Sequence, residues 1–343
     1  MATIRDVAKA AGVSTATVSA VMNDSAYVSP ELRSRVQTAI EELDYAPSTV
    51  ARNLKRGKSQ LIAVSVADLS NPFFSHIVCL AEAAAAAWGY SLVVFNSDEK
   101  TEAEKRILTR IRALSCDGIL LVPVGEAAQH LQRDLAGRTI PTVMFGRTVD
   151  DRRSDTVTID NESAGRQATN YLLDLGHRRI AFVAGRRDLS TVRERLAGYE
   201  AALCERGITP DPGLVCHVEI EPEAATRATS QLLAGHDRPT AVFTYNDLMA
   251  VGALVAIRAS DLRVPDDVSL VGHDDILYAP YLQVPLTTVA QPTRELAETA
   301  ARLLIERLRG DDAPPRRVVL QPRLVVRAST AAPPSRAGRE VPP

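Results

Sequence analysis

The sequence predicts an all-α N-terminal unit followed by an α/β domain made of two doubly wound parallel-sheet lobes. Three observations carry that expectation. The first 60 residues set apolar side chains at helical spacing between clear start and stop signals. From Gln60 onward, short apolar runs alternate with amphipathic stretches, the pattern of parallel sheets covered on both faces. At 343 residues the chain also exceeds what one hydrophobic core comfortably holds.

The elements follow in order. Thr3 and Asp6 form a capping-box pattern ahead of a first helix, in which Ile4, Val7, Ala8 and Ala11 share one face. Gly12 supplies the backbone freedom for a sharp turn. Ser14 then caps a second helix with Val18, Val21 and Met22 pointing inward. Thr15, Ala16, Ser19 and Ala20 face outward and are small enough to approach base edges, so the pair reads as a helix-turn-helix. The alternative reading of the same spacing is a plain corner in a three-helix bundle. Ser29-Pro30-Glu31 opens a third helix whose core stripe is Leu32, Val36, Ile40 and Leu43. After Tyr45-Ala46-Pro47 comes a short basic helix candidate containing Arg52, Lys55, Arg56 and Lys58, with no acidic residue between Tyr45 and Ala67. Such a stretch suits a phosphate backbone, where counterion release supplies much of the affinity.

In the α/β part, residues 61–67, 91–96, 118–123 and 142–146 read as buried strands, with helices near 74–88 and 102–114. A second series follows at 179–185, 214–220, 240–246 and 268–272, again with helices between. Two such series imply two lobes and a cleft, and ligands in these folds sit beyond the carboxyl ends of the strands. Candidate contacts there are Asp68, Phe73 and Phe74 after the first strand, Asn246 beside Tyr245, and Asp274, with Tyr278 and Tyr281 as further aromatic candidates. Carboxylates and amides next to aromatic faces suit a sugar, whose hydroxyls need forked partners and whose C–H face stacks on rings. The structural alternatives are that Asp160, Asn161 and Asp247 cap helices and that Phe73 and Phe74 are core.

Composition narrows the class. Apolar residues make up 45%, enough for large cores, and the net charge is −2. Residues 1–60 carry eight Lys/Arg against six Asp/Glu, a net of +2 that leaves −4 for the rest. Cys79, Cys116, Cys204 and Cys216 show no C-x-x-C spacing, so neither a metal site nor a disulfide frame is expected. The longest apolar tract, residues 83–95, is broken by Gly89-Tyr90 and is too short to span a bilayer. No apolar leader opens the chain, so a cytoplasmic protein without membrane or cofactor is expected. No G-x-S-x-G, Walker A or G-x-G-x-x-G motif occurs, and no nucleophile–base pair can be placed, so an enzyme is not expected.

The run from Thr3 to Asn23, T-I-x-D-V-A-x-x-A-G-V-S-x-x-T-V-S-x-V-x-N, resembles the LacI/GalR (lactose-repressor/galactose-repressor) family of regulators. Pro47-Ser48 with Val50-Ala51-Arg52 and Leu54 matches that family's hinge helix, and the resemblance extends to about residue 330. The N-terminus is similar in particular to the purine-repressor branch. The resemblance implies a DNA-binding unit over residues 1–46, a hinge helix and linker over 47–59, and a periplasmic-binding-protein-like effector domain over 60–330. It places lobe 1 at about 60–160 and 292–320, lobe 2 at about 161–287 and 322–330, and a disordered tail at 331–343. Chain crossings are expected at 158–161, 286–292 and 320–323.

The resemblance also implies roles. Thr15, Ala16, Thr17, Ala20, Asn23 and Tyr45 would contact DNA, with Arg52 and Lys55 flanking a Leu54 wedge in the minor groove. The family's R-x-x-G-[YF] helix, here Arg195 to Tyr199, puts Arg195 in the cleft with Thr191 nearby. Two departures matter. The purine repressor's additional ligand arginine aligns near Leu189 here, which disfavours a purine. Ala20 replaces a base-reading Arg or His, so readout leans on methyl contacts or water. The expectation is a homodimeric repressor on a pseudo-palindromic operator, controlled by a small molecule, most simply a sugar. A ligand-independent or corepressor-dependent regulator is the alternative.

Overall fold

The computed structural model describes residues 2–45, 58–125, 140–149 and 153–334. Two compact units divide the chain, residues 1–59 and 60–343. The expected hinge helix, including Arg52, Leu54 and Lys55, lies outside the described residues, as does the tail from residue 335.

The first unit holds α1 (Ile4–Ala11), α2 (Thr15–Asn23) and α3 (Pro30–Glu42). The Asp6 carboxylate reaches back to the Thr3 backbone N–H at 2.8 Å and accepts from its hydroxyl at 2.7 Å. Gly12 turns the chain at φ 63°, and the Ser14 hydroxyl accepts from Thr17 N–H at 3.0 Å to start α2. Val7, Val18 and Val36, one from each helix, are fully buried at the centre. Arg35 of α3 donates to the Ala11 carbonyl at 2.6 Å, sealing the end of α1. A side chain at position 12 would press on that guanidinium, and the left-handed backbone there favours glycine in any case.

The second unit contains two six-stranded sheets. Lobe 1 uses β1 (Leu61–Val66), β2 (Ser91–Asn96), β3 (Gly118–Leu121), β4 (Thr142–Phe145), β5 (Asp155–Ile159) and β11 (Arg317–Leu320). These run β11-β5-β4-β3-β1-β2, all parallel. Its helices are α4 (Pro72–Ala86), α5 (Thr101–Ala113) and α10 (Thr293–Leu308). Strand alternation separates the faces: Ile62, Val64 and Leu120 share a core with α4 and α10, whereas Ala63, Ile119 and Leu121 meet Ile107 and Ile111 of α5.

Lobe 2 uses β6 (Ile180–Ala184), β7 (Val215–His217), β8 (Ala241–Thr244), β9 (Ser269–Asp274), β10 (Thr287–Ala290) and β12 (Arg323–Val325). Their order is β12-β10-β9-β8-β6-β7, with only the β10–β12 pairing antiparallel. Its helices are α6 (Asn161–Asp174), α7 (Ser190–Glu205), α8 (Pro222–Leu233) and α9 (Asp247–Ala259). The chain passes between sheets three times: from β5 into α6, from β10 into α10, and from β11 to β12.

Four strands escape the sequence reading. β5, β10, β11 and β12 are three to five residues long, and none contains an apolar run of more than three residues, too short to announce a strand. The expected tail also starts too early at 331. Ala331 N–H donates to Ser269 Oγ at 3.0 Å and its carbonyl meets His177 Nε2 at 2.9 Å, which ties the strand exit to lobe 2.

Candidate functional site

On the first unit, Thr15 and Ala16 are exposed at the start of α2, with Thr17 and Ala20 half-buried one turn on. These positions have no large side chain, so the helix can lie close against a groove. Asn23 is exposed, but its amide donates to the Ser19 carbonyl at 2.8 Å, which makes it part of the helix end. Tyr45 packs half-buried against the three-helix core.

On the second unit, a cavity opens between the lobes. Asn71, Phe73 and Phe74 from the β1–α4 corner and Gly146-Arg147 from the end of β4 form its lobe 1 wall. Thr191 and Arg195 of α7, Tyr245-Asn246 after β8 and Asp274 ending β9 form the lobe 2 wall, with Gln291 at a crossing. The space reaches about 350 Å³ only with its open mouth counted; the enclosed part is about 30 Å³, well below the usual size of a ligand pocket. Asn71 and Asn246 each spend one side-chain oxygen on a helix start, accepting from Phe73 N–H at 3.0 Å and Met249 N–H at 2.9 Å. That fixes their amides at the cavity rim.

Arg195 is 3% exposed and is held by Asn161 Oδ1 at 3.0 Å and the Tyr245 carbonyl at 2.6 Å, with its guanidinium 4.5 Å from the Tyr245 ring centre. The motif spacing explains how it gets there. Gly198, one turn on, lets α7 lie against α6, because a side chain there would strike the Glu162 carbonyl. Burial lowers the Arg195 pKa, partly offset by Tyr245 and Asp274. Arg147 is equally enclosed. Burial works against its charge, yet Glu99 outweighs it and holds the pKa above the usual arginine value.

Asp274 carries the strain of the site, with φ 115°, a conformation L residues rarely adopt. Its Oδ1 takes bonds from Gln291 Nε2 at 2.7 Å and His273 Nδ1 at 2.8 Å. His273 is fully buried, its Nε2 has no partner among the described residues, and burial drops its pKa to about 4. The imidazole is therefore neutral and donates through Nδ1. Behind it, Asp247 accepts from Thr288 Oγ1 at 2.6 Å and Ile276 N–H at 2.9 Å. Burial and the nearby Asp274 push its pKa well up. The cavity's formal charges then balance: Arg147 with Glu99, Arg195 with Asp274. Such walls suit a neutral, hydroxyl-rich molecule. Among the described residues no group of three or more His, Cys, Asp or Glu can hold a metal, and no helix is long and apolar enough to cross a membrane.

Comparison with known proteins agrees at both ends of the chain. Residues 3–48 match the model for bacterial regulatory proteins of the lacI family, and 169–330 match a periplasmic binding protein-like domain. The HTH-type transcriptional repressor PurR of Aliivibrio fischeri (strain ATCC 700601 / ES114) is 38% identical over 334 residues, 96% of this chain and 99% of that one. The ribose operon repressor of Escherichia coli (strain K12) is 39% identical over 331 residues, 96% and 100% of the two chains. The chain belongs to the LacI family of bacterial regulatory proteins. The Lac repressor dimer bound to operator and the anti-inducer ONPF superposes with a TM-score of 0.86 at 32% identity, covering 96% of this chain and 99% of that one. This LacI-family protein is accordingly a DNA-binding transcriptional regulator, with a helix-turn-helix unit and a two-lobed α/β domain.

Against that family frame, the cavity of this LacI-family chain brings together Phe73, Phe74, Thr191, Arg195, Asn246 and Asp274. Asp68 is not among its walls. Its Oδ1 accepts from Ser70 N–H at 2.9 Å and Ser70 Oγ at 2.7 Å, so it shapes the turn that delivers Asn71. Tyr245 lines the cavity, whereas Tyr278 and Tyr281 lie on the surface at 56% and 80% exposure. Sequence reasoning missed Arg147 and Gln291. Arg147 follows the end of a recognised strand, so the strand-end rule pointed to it. Gln291 follows β10, a strand that sequence reasoning did not find, and nothing local marks it.

Proposed function

We propose that this LacI-family regulator is a cytoplasmic repressor that binds a pseudo-palindromic operator as a homodimer and is released by a small neutral sugar in the inter-lobe cavity. The charge-balanced cavity carries this reading: forked amide, guanidinium and carboxylate groups face two phenylalanines between the lobes. D-ribose is the first candidate, since the ribose operon repressor is similar along nearly the whole chain. On the DNA, Thr15, Ala16 and Ala20 of two recognition helices would read successive major grooves. Arg52 and Lys55 would clamp phosphates beside a Leu54 wedge.

A purine corepressor is the second reading, favoured by the similarity to PurR. Against it, Leu189 is buried among apolar neighbours at the start of α7 and offers no polar group to a base. One experiment separates the two. Operator DNA is selected from a random library at fixed salt, then bound complex is titrated with D-ribose and with a purine base. Release by the sugar is expected. Tightening by the purine, with no effect of the sugar, would replace the first reading with the second.

A further inference from the structure

The three chain crossings leave the strands at one side of the sheets, where β5 and β11 of lobe 1 and β10 and β12 of lobe 2 lie. On the opposite side stand β2 and β7. There the lobes meet again, and Glu99 is one of the residues that join them. Glu99, just past β2, has φ 53°, and Asp98 before it also has φ 53°. Two consecutive left-handed residues without a glycine are a strained arrangement that needs something to hold it.

The Glu99 N–H donates to the Ala67 carbonyl at 2.9 Å, and two arginines add to that hold. The Glu99 carboxylate takes a fork from Arg147, at 2.8 and 2.7 Å, and Arg147 is a wall of the effector cavity at 5% exposure. The Glu99 backbone carbonyl accepts from Arg186 Nη1 at 2.9 Å. Arg186 belongs to the other lobe, just past β6, and a second fork to Asp188 at 3.1 and 2.8 Å aims it. Arg186 is not part of the cavity wall.

We propose that Arg186, Glu99 and Arg147 form a closure latch that couples effector occupancy to lobe closure. Glu99 is a positioning residue: its carboxylate fixes Arg147 towards the ligand, and the same loop conformation presents its carbonyl to the opposite lobe. A ligand held by Arg147 steadies the loop and so keeps the carbonyl in place for Arg186. Opening the lobes must break the Arg186 bond, because it joins a lobe 2 side chain to the lobe 1 backbone. The proposal rests on the cavity being a sugar site, but the contact itself exists without sugar, and this allows the two ideas to fail separately.

The test uses the full chain with Arg186→Met, Arg186→Lys and Glu99→Gln, read by calorimetry and stopped-flow mixing with D-ribose. A charge-assisted hydrogen bond lost from the closed state alone predicts dissociation about tenfold faster in Arg186→Met, with association unchanged. Arg186→Lys keeps a donor without the Asp188 fork and should fall between. Glu99→Gln removes the partner of a buried cation and should weaken binding more than either. A dissociation rate in Arg186→Met equal to the parent's overturns the latch. If the parent binds no D-ribose, the sugar reading fails, and small-angle scattering of the sugar-free proteins decides the latch. A larger radius of gyration in Arg186→Met supports it, and an unchanged radius overturns it. Should Arg186→Met fail to fold, Arg186→Lys carries the same comparisons.

Discussion

The side-chain bonds that frame the helix-turn-helix reach three residues from Thr3 to Asp6, three from Ser14 to Thr17 and 24 from Arg35 back to Ala11. In the cleft, Arg195 reaches 34 residues to Asn161 and 50 to Tyr245, and Arg147 reaches 48 to Glu99. The recognition unit is thus encoded by near neighbours, with its reading residues standing outside the frame. In the cleft the reading residues are the frame. Position 16 or 20 can change while the DNA-binding helices stay in place. Changing Arg195 or Asp274 disturbs both the ligand contact and the lobe that supports it.

The largest effect that would sharpen this contrast is expected for Asp274→Ala. It strips the partner from His273 and Gln291 and leaves Arg195 buried without its nearby carboxylate, so effector affinity should fall by about 2–5 kcal/mol. Operator affinity without effector should hold. A parallel loss of both, measured by calorimetry and gel shift, would show that the two units are not separately encoded.

Acid should find the cleft unit next. His273 stays neutral when folded down to about 4, whereas an unfolded histidine takes its proton near 6.5. Its contribution is complete above 6.5 and declines as pH falls towards 4, by at most about 3 kcal/mol. His177, depressed by burial, acts in the same direction. Asp247, pushed up by burial and by Asp274, acts in the opposite one. The difference in urea stability between parent and His273→Gln isolates the histidine, and it should shrink with acidification. In the first unit Asp6, lowered by its bonds to Thr3, loses its contribution only below the ordinary carboxylate value of 3.8, outside this window. A pH-independent difference would remove His273 from the account.

The smallest effect is local. Ser14→Ala deletes the cap of α2 and should cost the first unit about 1 kcal/mol, leaving ligand affinity unchanged. Thermal unfolding of the helical unit, set beside calorimetry on the same protein, checks both halves.

The same contrast explains what was legible. The caps at Ser14 and Ser29, the Gly12 turn and the inward Val7, Val18 and Val36 were all readable, because helix periodicity and capping act within a turn or two. The long apolar strands were readable too. β5, β10, β11 and β12 were not, since each is short and its apolar run is at most three residues long. In the cleft, Arg195 and Asp274 were accessible through a motif and a strand end. Glu99 was invisible, because its importance arises from a left-handed loop and from arginines 48 and 87 residues away.

The interleaving of the lobes has a consequence for heredity. Lobe 1 takes its sixth strand from residues 317–320, and lobe 2 takes one of its own from 323–325. Neither lobe is a contiguous stretch of gene, so neither can be copied, lost or traded alone by a single crossover. Residues 1–59 and the remainder are contiguous. Recombination can therefore pair an old effector response with a new operator in one step, but it can refit the two walls of the cleft to a new ligand only by point changes within the joined pair.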